Sequence, residues 1–246
     1  MIKKSIPRII ESIYNFFDFI HSWRIKSFYK FHDLEAVIDV GSHKGEFINS
    51  VVDNSTPVYS FEPQSSLIGV LKKNTCKKNV IKYYDFALSN FDGSIDLFIN
   101  NLTSTSSIKE SDSSSYWIKF KSFLLGGQLY AGKESVSVKK LDDILFHEIR
   151  SKKNVLLKID VEGSEAEVLQ GATKILNKCD IKFIQLESAN YSIYSGNPSN
   201  LAFEILESLG YKIEKEFLFP LLNFKDVIFA RKLSGRTSKE CKIFPF

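Results

Sequence analysis

Four short stretches carry the side chains that could do chemistry in this chain. "VIDVGSHKG" (37–45) puts Asp39 two residues before Gly41, with Gly45 closing the turn. "VYSFEP" (58–63) ends on Glu62, 23 residues after Asp39. "KIDVEG" (158–163) holds Asp160 and Glu162, and "IQLE" (184–187) ends in Glu187. A carboxylate beside a glycine turn accepts from a hydroxyl or attracts a cation, and it repels a phosphate. The spacing Asp39-x-Gly41-x-x-x-Gly45 is not the GxGxxG turn that sets a helix N-terminus against a pyrophosphate. Gly41 permits close backbone approach, and Gly45 lets the next helix lie near the strand. Glu62 matches the acidic position that holds ribose hydroxyls in dinucleotide folds. A ligand with a ribose and a positive charge but no phosphate fits these groups: S-adenosylmethionine.

Methyl transfer from a sulfonium is an in-line displacement, so an enzyme must align the acceptor oxygen and often remove its proton. Asp160, Glu162 and Glu187 follow apolar strands and suit a base, a ligand for the acceptor hydroxyl, or a carboxylate metal site. Charge complementing a helix N-terminus is the plainer use of the first two. His43, inside the glycine turn, is a further base candidate. Lys158 lies on the same strand face as Asp160, where a buried ammonium needs a carboxylate partner.

The elements that must position these groups alternate along the chain. Strands are expected at 35–40, 57–62, 80–89, 94–100, 154–163, 181–188, 211–217 and 226–232, and 136–145 reads as a short strand running into a helix start. Helical spacing occupies 44–54, 65–79, 164–176 and 198–210, with Ser164 as N-cap and Glu167 at the capping-box position of the third. Such alternation requires crossovers, hence a mostly parallel sheet covered on both faces. The last two strands lack an intervening helix and form an antiparallel hairpin at one edge. In such a sheet, ligands bind beyond the carboxyl ends of the strands.

The ends differ from the middle. Residues 1–30 hold six Lys/Arg against Glu11 and Asp18, and 231–246 hold five against Glu240, so each end is +4. With a total of +4, the middle 200 residues carry −4, a distribution that argues against a nucleic-acid groove. Ile2, Ile6, Ile9, Ile13, Phe16, Ile20 and Trp23 form one stripe of an amphipathic helix. That stripe is expected to pack on its own domain; a dimer seam or a peripheral membrane contact are the other uses. No run of eighteen apolar residues spans a bilayer. Cys76, Cys179 and Cys241 are scattered and fit reduced thiols in a cytoplasmic protein. The chain divides into a helical extension (1–34), a catalytic domain (35–232) and a basic tail (233–246). An insert at 108–134 carries Tyr116, Trp117, Phe120, Phe123, Tyr130 and the hinge-like pair Gly126 and Gly127.

"VIDVGSHKGEF", "YSFEP", "DFALSNFDGSIDLFI", "STSSI", "VSVKKLDDIL", "LLKIDVEGSEAEVLQGA", "IQLES" and "VIFARK" follow one another in order. The series resembles the FkbM-type methyltransferases, SAM-dependent O-methyltransferases with a Rossmann-like class I fold built on a seven-stranded sheet. The resemblance spans residues 35–231, and "KIDVEGSE" is its most specific element. It implies that Asp39, Gly41, Ser42 and Gly45 line the SAM site and that Glu62 binds the ribose. It also implies that Asp85 to Ala87 contact adenine. The likeness weakens at 108–134, where the acceptor is chosen.

The expected function is therefore SAM-dependent methylation of a hydroxyl on a small molecule or glycan, a surface-polysaccharide sugar being one such acceptor. The alternative is a non-catalytic adenosine-ligand module whose basic ends bind a membrane or an acidic partner. Three acidic groups facing one cleft favour the enzyme. An NAD(P) oxidoreductase would require the missing GxGxxG turn.

Overall fold

The computed structural model describes residues 5–100, 130–189, 198–219 and 224–231. The aromatic and glycine residues of the insert between 116 and 127 and the tail 233–246 lie outside the described residues. A long helix, α1 (Ser5–Tyr29), opens the chain. Then come β1 (Ala36–Val40), α2 (Glu46–Ser50), β2 (Val58–Phe61), α3 (Ser65–Asn74) and β3 (Val80–Tyr84). A second group holds β4 (Ala87–Leu88), β5 (Gly93–Asn100), β6 (Tyr130–Lys139) and α4 (Leu141–Ile149). The chain continues through β7 (Val155–Ile159), α5 (Glu165–Gln170), α6 (Thr173–Lys178) and β8 (Ile181–Ala189). It closes with α7 (Pro198–Ser208), β9 (Lys212–Leu218) and β10 (Phe224–Ala230).

Seven strands form one sheet in the order β3-β2-β1-β7-β8-β10-β9. Pairs from β3 to β8 are parallel, and β10 runs antiparallel to both β8 and β9. The expected hairpin is present, but its second strand inserts beside β8, leaving β9 at the edge. The order reverses between β1 and β7, so the switch point falls where Asp39 and Asp160 end their strands. β1 and β7 are buried along their whole length, as central parallel strands covered on both faces must be. Alternate residues of β1, β7 and β8 feed two cores. Ile38, Leu157 and Ile184 pack beneath the helices of one face, with Leu145 and Leu169. Val37, Leu156 and Phe183 pack on the other, with Ile25 and Tyr29 from α1 and Ile48 from α2.

Three expectations change. The strand expected over 80–89 breaks at Asp85–Phe86, and β4 joins β6 and β5 in a separate three-stranded sheet. The helix expected over 164–176 is two short helices. A Cβ on Gly171 would lie 2.0 Å from the Ser89 carbonyl oxygen, so only glycine lets the backbones meet there, and the helix breaks at that contact. Ser164 makes no side-chain cap bond. Third, α1 turns a different face inward from the expected stripe. His21, Ile25 and Tyr29 are buried, whereas Ile13, Phe16 and Trp23 are 45%, 59% and 60% exposed. Phe28 makes edge contacts with Phe183 and Phe217, and the Arg24 guanidinium lies over Phe217 and donates to the Leu218 carbonyl. Periodicity alone did not distinguish the two faces, since both are largely apolar.

Candidate functional site

The carboxyl ends of β1, β2 and β7 hold the core of the site. Gly41 takes φ +80°, and a Cβ there would lie 1.9 Å from the Asp160 carbonyl oxygen. A side chain is therefore excluded, and the turn after β1 rests directly on the turn after β7. Gly41 and Ser42 both donate backbone N–H groups to the Phe61 carbonyl, at 3.0 and 2.9 Å. Ser42 is buried; its hydroxyl donates to the Asp39 carbonyl at 3.0 Å and accepts from Ser60 at 2.7 Å. Gly45, also left-handed, packs against Leu71 and Thr75 of α3 and so fastens α2 to its neighbour.

Asp39 is fully buried beneath this turn. Neither of its oxygens accepts a hydrogen bond among the described residues; the Lys158 Nζ stands 3.6 Å from Oδ1. Burial pushes the Asp39 carboxyl up, and Lys158 opposes that push. Lys158 itself donates to Asp160 Oδ2 at 3.0 Å and to the Gly41 carbonyl at 3.4 Å. Burial acts to lower its pKa, but Asp160 and Asp39 outweigh burial and hold the ammonium charged. The buried lysine thus has the carboxylate partners that its position demanded.

Glu62 is buried at the end of β2. Its Oε2 accepts the His43 N–H and its Oε1 the Gln64 N–H, each at 2.8 Å. Burial raises its pKa, with the two N–H groups opposing. Each oxygen keeps a second lone pair for a ligand hydroxyl. The His43 ring turns to Glu46, with Nδ1 3.1 Å from Oε1. Asp85 is exposed at the end of β3, while Ala87 is buried in β4.

Beyond β7 the chain takes a strained course. Glu162 has φ 53°, a conformation that costs an ordinary residue about 1–2 kcal/mol. Glu165, which the sequence reading did not single out, is buried and accepts the Gly163 N–H at 3.0 Å. It ties down the turn that carries Asp160 and Glu162. Glu187 stands on β8 on the same face as Lys158, and its carboxyl is pushed well above the ordinary glutamate range. Burial is the first cause, followed by repulsion from Asp160 and Glu162. Asp160, Glu162 and Glu187 therefore share one acidic rim, with Lys158 at its base. Among the described residues no group of three His, Cys, Asp or Glu side chains is arranged to hold a metal ion.

The methyltransferase FkbM domain model matches residues 39–213, well over half of the chain. The chain belongs to the FkbM methyltransferase family. It is a methyltransferase with a Rossmann-like fold, and its cofactor is S-adenosylmethionine. The residues fit that cofactor. A buried carboxylate with unfilled acceptor capacity, a glycine-only turn and an acidic strand end surround the switch point.

Solved structures show distant likenesses to this FkbM methyltransferase. Magnesium protoporphyrin IX methyltransferase from Synechocystis PCC 6803, crystallised with SAM, is 11% identical, with TM-score 0.47 over 91% of this chain and 82% of that one. Precorrin-6y C5,15-methyltransferase from Geobacter metallireducens GS-15 is 12% identical, with TM-score 0.46 over 86% and 87%. Fibrillarin from Aeropyrum pernix, also with bound SAM, is 8% identical, with TM-score 0.42 over 80% and 66%. No curated protein sequence matches the chain. The assignment rests on the family match and the strand order, not on these likenesses.

Proposed function

We propose that this FkbM methyltransferase methylates a hydroxyl group of a small molecule or glycan, with Glu187 as the base. The observation that carries this reading is the β7–β8 register, which sets Glu187 beside Asp160 at the carboxyl ends of the two strands, where burial, Asp160 and Glu162 push its carboxyl up. A carboxyl held above the ordinary glutamate range by burial and like charge accepts a proton better than an ordinary glutamate, and a hydroxyl needs such a base. In this reading Glu62 holds the cofactor's ribose hydroxyls, the turn 41–43 forms its backbone cradle, and Asp85 to Ala87 border the adenine. Asp39 acts from beneath the turn as a fixed negative charge, with Gly45 and Ser42 keeping the turn in shape. Asp160, oriented by Lys158, and Glu162 hold the acceptor hydroxyl. Bound S-adenosylmethionine supplies an electrophilic methyl group on a positively charged sulfur. Glu187 would take the proton that the acceptor hydroxyl gives up when its oxygen is methylated, and S-adenosylhomocysteine would leave as the second product.

The test is transfer of isotope-labelled methyl from SAM to a panel of sugars, polyols and phenols, with amines and carboxylic acids alongside. Label in a product that survives mild base, as an ether does and a methyl ester does not, is the expected result. Label carried only on nitrogen or in base-labile esters sinks the hydroxyl reading.

A further inference from the structure

The polar groups beneath α1 extend past Lys158 onto β8 and β10. Asp226, buried on β10, stands opposite Glu187 in the ladder. Two carboxylates so placed disfavour joint ionisation unless one is taken up by donors. Asp226 has two such donors. Gln185 Nε2 donates to its Oδ1 at 2.7 Å, and His21 Nε2 donates to its Oδ2 at 2.6 Å. Gln185 in turn accepts from the Tyr29 hydroxyl at 2.9 Å. Two of these three links come from α1, and His21 is buried with its ring against Phe219 and Phe224. Both His21 and Asp226 lie outside the segment that matches the family.

We propose that His21 is a positioning residue for methyl transfer: by holding Asp226 it leaves Glu187 as the carboxyl group that faces the cofactor's cation and the acceptor. The proposal rests on the reading of Glu187 as the base. It makes α1 a wall of the reaction site rather than an appendage. The groups facing the Glu187–Asp226 pair are Lys158 from β7, Asp160 and Glu162 from the turn after it, and His21, Tyr29 and Asp18 from α1. Asp39 of β1 and Glu46 of α2 stand behind them, against Lys158 and Asp18. Lys158 is already shared by Asp160 and Asp39. Without His21, Asp226 loses one of its two donors and its charge bears more fully on Glu187 across the ladder.

The experiment is calorimetric titration of SAM and S-adenosylhomocysteine between about pH 5 and pH 8. In wild type, SAM affinity falls on acidification as Glu187 gains its proton; S-adenosylhomocysteine, lacking the sulfonium charge, falls less. His21→Ala moves the SAM midpoint up by about one pH unit, and His21→Gln, which returns an N–H donor toward Asp226, moves it back. Asp226→Asn moves it down, because Glu187 loses its like-charged neighbour, and this variant carries the test if His21→Ala does not fold. Equal weakening of both ligands at every pH in His21→Ala means that His21 only packs α1, and overturns the proposal. A flat SAM affinity in wild type overturns it too. A pH dependence that survives in Glu187→Gln sinks the base reading itself. One that is lost in Glu187→Gln but unmoved by the His21 and Asp226 variants sinks this proposal alone.

Discussion

Glu187 is held above the ordinary glutamate range by burial and by two neighbouring carboxylates, and this has a consequence for stability as well as for catalysis. The folded protein keeps a proton that the unfolded chain releases. The group's contribution is therefore fully present below the unfolded value of about 4.3 and is lost as pH rises through the folded value. Denaturant midpoints measured at about pH 5 and pH 8 should fall with rising pH more steeply in wild type than in Glu187→Gln. The same variant should lose about 10²-fold or more in turnover, and its SAM affinity at pH 8 should drop toward the value that wild type shows at about pH 5, as read by calorimetry. Gly41 is the second residue on which much depends. Gly41→Ala must place a methyl group 1.9 Å from the Asp160 carbonyl oxygen at positive φ. We expect a loss of about 2–4 kcal/mol in urea unfolding together with loss of SAM binding. Asp39 and Glu62 were legible from their spacing to the glycines. Asp226 and His21 were not, because nothing in "DVIFARK" or in an apolar helix marks which polar residue will meet another 205 positions away.

At the scale of elements, contact between backbones overrules local propensity. The stretch 164–176 reads as one helix by periodicity, yet it breaks where Gly171 meets Ser89. Gly171→Ala should favour a continuous helix in isolation but cost the protein about 2–3 kcal/mol by pushing Ser89 and β4 away, measurable as a drop in the thermal midpoint. The long helix α1 is the other case. Its buried edge uses His21, Ile25 and Tyr29 against β8–β10, with Phe28 packed between Phe183 and Phe217. Its outer edge leaves Phe16 59% and Phe19 68% exposed. Phe16→Ser with Phe19→Ser should therefore change unfolding free energy by no more than about 0.5 kcal/mol per site. Tyr29→Phe, which removes one buried hydrogen bond, should cost about 1–2 kcal/mol. No helix among the described residues is long and apolar enough to cross a membrane. Peripheral membrane attachment and pairing with a second copy are the two uses we propose for the exposed Phe16 and Phe19 edge. Vesicle flotation of the Phe16/Phe19 variant beside wild type separates the first from the second.

At the scale of the molecule, a seven-stranded sheet brings strand ends far apart in sequence to one switch point. Ligand linkage tests the assembled site: SAM at about 100 times its Kd adds about 2.7 kcal/mol, and the thermal midpoint should rise by about 5–10 °C. NAD and NADP should produce no rise; a rise with either would displace the cofactor assignment. The sequence by itself determined the strand–helix alternation, the parallel sheet with its antiparallel final strand, the glycine turn and the family. These follow from period, turn chemistry and residue spacing, which are local quantities. The tertiary structure decided how deeply each carboxylate is buried and which charges it meets. Asp39 lies sealed under the turn against Lys158, Glu165 ties down its own loop, and Glu187 is set among like charges. It also decided which edge of α1 turns inward, joining His21 to Asp226 at the rim of the site. Both outcomes depend on burial and on through-space charge between strands that only folding brings together.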